Sequence, residues 1–188
     1  MPPQKLSVTF DFDEHQDELI EVVDDFDEPV LVVSAFEARR QKLRRRVILV
    51  LLHDTSGKLY LQRRGKQKTT YPGLWDVSAS GHVRAGEARE DAARRELYEE
   101  LGVKASGMAY LTAYATSPEH GNTFVTLFHA TAPAARPAPD NKEVDDVIAV
   151  EAHELAAMVR DFSDRLTPAL LWVCQHGYAF ENAQTARE

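Results

Sequence analysis

Glu96, Glu99 and Glu100 stand at spacings i, i+3 and i+4 within Arg95-Glu96-Leu97-Tyr98-Glu99-Glu100-Leu101. On a helix these intervals place three carboxylates on one face. Like charges so placed repel by about 0.2–0.5 kcal/mol per pair in water. A Lys/Arg cluster or a divalent cation among them would relieve the repulsion. Oxygen-only donors suit hard ions, so Mg2+ or Mn2+ fits better than Zn2+. The plainer alternative is a solvated acidic face without a ligand. The other flank, Ala93, Leu97 and Leu101, is suited to packing on a sheet.

The helix carrying these groups is predicted over 88–101 and ends at Gly102, a C-cap residue type. Ahead of it, Gly81 and Gly86 bracket a tight segment, and Glu87 stands at the helix entrance, where a carboxylate is favourable. Val-rich runs at 19–23 and 30–34 around an acidic stretch read as a hairpin, and 35–43 as a short helix. A buried strand at 47–53 returns through a turn at 54–57 into 58–63. Further strands are expected at 75–78, 82–83, 109–116 and 123–131. Helices are expected at 152–160 and 168–178, the second with Thr167 as N-cap and Pro168 at its first position. Residues 66–71, 132–140 and the acidic stretch 141–146 read as loops. Strands and helices that interleave without strict alternation indicate a mixed-sheet layered domain.

The chain has 188 residues, 44% hydrophobic and 28% charged, which fits one domain. We place it at 17–180, with an N-terminal extension at 17–43, a loose arm at 1–16 and a tail at 181–188. The single Cys, Cys174, excludes an internal disulfide and a Cys-based zinc cluster and favours a reducing compartment. A net charge of -8 argues against general nucleic-acid binding. No apolar run is long enough to span a bilayer, and the N-terminus lacks a signal-peptide core, so a cytoplasmic location is expected. Residues 11–28 hold ten Asp and Glu and no Lys or Arg, whereas 39–46 hold six Lys and Arg. Either the two stretches pair with each other, or the basic one faces an anionic ligand.

Gly81, five residues, Glu87, seven residues and then Arg95-Glu96-Leu97-Tyr98-Glu99-Glu100-Leu101-Gly102-Val103 resembles the signature box of the Nudix hydrolases at every fixed position. The resemblance implies an α/β fold, an α/β/α sandwich around a mixed sheet, here with an N-terminal hairpin extension. It implies hydrolysis of a diphosphate linkage in a nucleoside diphosphate derivative or related organic diphosphate. Glu96, Glu99 and Glu100 would bind Mg2+ or Mn2+, with Glu87 supporting the site and the Gly81 carbonyl as a further ligand. Arg95 would orient the carboxylates. The general base is left open among Glu99, Glu100 and Glu143.

The stretch 61–83, with Arg63, Arg64, Lys66, Lys68 and then Pro72-Gly73-Leu74-Trp75, is similar to the branch that includes isopentenyl-diphosphate isomerase. Those four cations either pair with substrate phosphates or serve solubility; Tyr71 and Trp75 read as anchors. The isomerases place a Cys just before the Gly-His pair, where this chain has Ser80 before Gly81-His82. That departure and the complete box favour hydrolysis over isomerisation. A non-catalytic nucleotide sensor is a third reading, opposed by the intact carboxylates. The role of His82 is open, and Cys174 is expected as a packed thiol. The expected partner is a small-molecule diphosphate. The apolar residues of the extension (Ile20, Val22, Leu31, Val33, Phe36) suit either a cover over the site or a homodimer contact.

Overall fold

A computed structural model of the chain describes residues 17–131, 137–139 and 143–180. The expectations for 1–16 and 181–188, and for most of 132–142, lie outside the described residues. The described elements are β1 (Leu19–Val23), β2 (Pro29–Ser34), α1 (Ala35–Arg40), β3 (Arg45–His53), β4 (Leu59–Arg64), β5 (Trp75–Asp76), β6 (Ala79–His82), α2 (Arg89–Leu101), β7 (Gly107–Ala115), β8 (Thr123–Thr131), β9 (Val144–Val150), α3 (Ala152–Asp161) and α4 (Pro168–Gln175). Strand β9 corrects the sequence reading, which placed 144–146 in a loop. Its Val-Asp-Asp start hides the strand signal, but Val144 and Val150 are buried and it pairs along β4.

Strand β3 is the hub. Its run Val47-Ile48-Leu49-Val50-Leu51-Leu52 is fully buried, because both faces are covered. Val47, Leu49 and Leu51 pack with α3 and α4, while Ile48, Val50 and Leu52 pack with Ala92, Ala93, Leu97 and Leu101 of α2. One edge of β3 pairs in parallel with β8 along nine residues. Along the remainder it meets β1 at Arg45, β6 at Val47–Val50 and β4 only at His53. Beyond the Asp54–Gly57 turn, β4 therefore leaves β3 and runs with β5 and β9. The splay between β4 and β6 is where the chemistry gathers.

Helix α2 packs its Ala/Leu flank and stops at Gly102, whose φ of +67° is left-handed. A Cβ there would stand 2.9 Å from the Ala138 carbonyl oxygen, so glycine is needed for space as well as for φ. At α4 the expected cap is present: Thr167 Oγ1 accepts from Leu170 N.

The expected N-terminal hairpin forms, with Ile20 opposite Val33. It is docked on the segment before α2: Ala85 N donates to Leu19 O, and Gly86 N to Glu21 Oε1. The acidic and basic stretches pair with each other here. Arg46 binds Glu21 at 2.6 Å and Asp27 at 2.8 Å, and Arg44 binds Asp25 at 2.8 Å.

Candidate active site

Glu100 lies where β4 and β6 part. Its Oε2 accepts from Gln62 Nε2 at 2.8 Å and from Ser80 N at 3.0 Å. The residue is only 3% exposed. Burial pushes its carboxyl up to about 7; Lys68, the Ser80 N–H and Arg64 pull it down, and Glu143 pushes it further up. Lys68, Glu143 and Arg64 thus all act on one buried carboxylate. Lys68 Nζ is 2.7 Å from Glu143 Oε2, and Gly65 N donates to Glu143 O, so the 65–74 loop and the start of β9 close together over this corner.

Glu96, one turn earlier, is also buried, whereas Glu99 is partly exposed. The positive group among the carboxylates is Arg95. Its guanidinium binds both Glu87 oxygens at 2.8 and 2.9 Å, Glu96, Glu99 at 3.1 Å and the His82 carbonyl at 3.0 Å. Burial disfavours its charge, but Glu87 and Glu96 more than offset this and raise its pKa. Burial likewise pushes the Glu87 carboxyl up, yet Arg95 and the Arg84 N–H hold it below the ordinary value. Glu87 thus serves Arg95, while Ala88 occupies the cap position of α2. Arg84 binds Glu18 and reaches Glu99 at 3.6 Å, which ties the N-terminal extension to the carboxylate cluster.

Strand alternation sorts the backbone groups around Gly81. Ser80 N points to Glu100 and His82 O to Arg95, whereas Gly81 pairs with Ile48 and Val83 N with Arg46 O. Gly81 therefore turns its carbonyl to β3, and the carbonyls facing α2 are those of Ser80 and His82. The Ser80 hydroxyl is buried without a hydrogen bond among the described residues. His82 is fully buried and accepts from Arg45 Nε at 3.0 Å.

The four basic residues before the box separate. Arg64 is buried, with Nη1 3.4 Å from Asp76 Oδ2 and two hydrogen bonds to Thr70, so it fixes the loop from inside. Arg63 pairs with Asp146 at 3.4 Å and lies over the Trp75 ring. Lys66 is exposed. Lys68 alone of the four both pairs with Glu143 and acts on Glu100. The sequence reading missed Gln62 and the Ser80 N–H. The available signal was a glutamine within the apolar pattern of β4.

Among the described residues no three His, Cys, Asp or Glu side chains are already gathered as a metal cage. The donor chemistry nevertheless fits a hard divalent ion. Two buried carboxylates, a third beside them and an outward backbone carbonyl are all oxygen, and Mg2+ needs few protein ligands because it keeps waters.

A mixed sheet covered on both faces, with a carboxylate-rich helix against a splayed strand pair, defines an α/β enzyme fold built to handle charge. The NUDIX domain model matches residues 42–170. A Nudix hydrolase of Yersinia pestis is 30% identical over 172 residues, covering 91% of this chain and 94% of that protein. One from Pseudomonas aeruginosa is 45% identical over 87 residues, 46% of this chain and 52% of that protein. An isopentenyl-diphosphate Delta-isomerase of Cereibacter sphaeroides is 34% identical over 158 residues, 78% of this chain and 86% of that protein. The crystal structure of DR0079 from Deinococcus radiodurans superposes with a TM-score of 0.71 at 26% identity, covering 86% of this chain and 99% of that one. This chain belongs to the Nudix family and is an enzyme of the Nudix hydrolase type.

Proposed function

We propose that the chain hydrolyses an organic diphosphate, a nucleoside diphosphate derivative or a related compound, with Mg2+ or Mn2+ held by Glu96, Glu99, Glu100 and the Ser80 carbonyl. The observation that carries this reading is the buried Glu100 carboxylate, whose charge is disfavoured by its surroundings and whose corner collects Lys68 and Glu143. A bound divalent ion supplies neutralised phosphate oxygens and an activated water. Lys68 adds a positive charge for the phosphate oxygens. Glu143, positioned by its pair with Lys68, takes the proton of the attacking water. Gln62 and Ser80 N fix the rotamer of Glu100, and Arg95 keeps Glu87, Glu96 and Glu99 in place until substrate and ion arrive.

Phosphate release from a panel of nucleotide and non-nucleotide diphosphates, with Mg2+ or Mn2+, tests this. Wild type should turn over at least one class. Glu100→Gln should lose most of that rate, and Glu143→Gln about 100-fold or more, the usual scale for a general base. Unchanged rates in Glu100→Gln would refute the site. The isomerase-named relative calls for one added arm, conversion of isopentenyl diphosphate. Ser80 in place of the isomerase Cys leads us to expect none.

A further inference from the structure

Arg95 stands among the box carboxylates but has nothing left to offer a substrate. A guanidinium carries five N–H donors. Here Nε donates to Glu87, Nη1 to Glu96 and Glu99, and Nη2 to the His82 carbonyl and Glu87, so all five are used. Arg84, in the loop between β6 and α2, is different. Its Nε donates to Glu18, but among the described residues neither Nη group makes a hydrogen bond. Nη2 comes only to 3.6 Å from Glu99 Oε1, an ion pair too long for a hydrogen bond. The side chain is 38% exposed, so a ligand from solvent reaches it.

The open guanidinium is nevertheless held in place. Its partner Glu18 has a side chain only 5% exposed. The Arg84 N–H donates to Glu87 Oε2 at 2.9 Å, and the Arg84 backbone bridges to Ile20 of β1. One edge of the fork is thus fixed by the N-terminal extension, and the other is left for the bidentate contact that guanidinium makes with a phosphoryl group. Arg84 also stands at the Glu99 end of the carboxylate cluster, whereas Lys68 acts on Glu100. Once Glu99 turns to an ion, Arg84 keeps Glu18 and is released toward an anion beside that ion.

We propose that Arg84 is a phosphate-binding residue of the site, taking one phosphoryl group of the diphosphate on its two Nη groups, and that Glu18 is the positioning residue that aims it. This rests on the diphosphate reading above. It makes the N-terminal extension a working part of the substrate site.

Calorimetric titration of the full chain with methylenediphosphonate, whose P–C–P bridge resists hydrolysis, in saturating Mn2+ tests it, with Mn2+ affinity measured separately. Wild type should bind the diphosphonate. Arg84→Gln should weaken that binding about tenfold or more, the scale of hydrogen bonds to a charged group. It should not weaken Mn2+ binding, because Arg84 competes with the ion for Glu99. Arg84→Lys should recover only part of the loss, since an ammonium lacks the fork. Glu18→Gln should weaken diphosphonate binding about threefold, and should add nothing once Arg84 is already glutamine. That double variant removes the buried carboxylate along with its cation, which guards against a folding defect in Arg84→Gln. Undiminished diphosphonate affinity in Arg84→Gln would overturn this proposal alone. So would a parallel loss of Mn2+ affinity, since Arg84 would then serve only to hold Glu99. A wild type that binds Mn2+ but no diphosphonate would overturn the diphosphate reading itself, and this proposal with it.

Discussion

Replacing Glu100 with glutamine should make the ion-free protein more stable at pH 8 even as it removes turnover. Burial holds this carboxyl at about 7, against an ordinary value of 4.5. At about 1.4 kcal/mol per pH unit, that gap makes the ionised form cost about 3 kcal/mol in the fold. The folded value is the raised one, so between pH 4.5 and 7 the native state binds more protons than the unfolded chain. The group's contribution is therefore whole below 4.5, falls as pH rises through 7 and is flat beyond. Glutamine has no such proton to lose. Its carbonyl oxygen can accept both the Gln62 and Ser80 hydrogen bonds that Oε2 now takes. Urea unfolding in EDTA should show Glu100→Gln more stable by about 3 kcal/mol at pH 8, or about 6–12 °C in Tm, and equal to wild type near pH 4.5. Saturating Mn2+ should narrow the gap by stabilising wild type. Equal stabilities at pH 8 in EDTA would refute the claim that Glu100 is a buried charge awaiting compensation.

His53 should give the opposite slope. Burial lowers its pKa from 6.5 to about 4, aided by the adjacent His129, so it is neutral in the fold. Its contribution is whole above 6.5 and is lost as pH falls toward 4, by about 3 kcal/mol in all. His53→Phe should therefore remove a contribution that rises with pH between about 4 and 6.5, leaving stability that falls with pH through the Glu100 range. Because the Glu100 and His53 slopes nearly cancel in wild type, each variant should uncover the other; a wild-type and His53→Phe difference independent of pH would refute the assignment. Asp76→Ala should cost about 3–5 kcal/mol by leaving the buried Arg64 guanidinium without its carboxylate. A loss in urea unfolding below about 1 kcal/mol would show that Thr70 suffices for Arg64.

Much of this architecture was legible along the chain because its signals are local. The i, i+3, i+4 carboxylates, the Ala/Leu flank and Gly102 specified α2 to within a residue. The continuous apolar run of β3 announced a strand covered on both sides. Strand β9 was not legible, since Val144-Asp145-Asp146 becomes a strand only through pairing with β4. Which carbonyls of β6 face α2 was not legible either, because carbonyl direction depends on which edge of β6 is taken by β3.

By itself the sequence determined the charged inventory: three box glutamates, Arg95 beside them, and a chemistry of oxygen ligands and phosphate. Tertiary structure decided what each charge does. Arg64 and Lys68 read alike in the chain, yet one is sealed against Asp76 while the other meets Glu143 beside Glu100. Glu96, Glu99 and Glu100 also read alike, yet packing buries two and leaves Glu99 partly open. The reason is desolvation. The energy of a charge depends on the water taken from it and the partners given in return, and both are set by strands far apart in sequence.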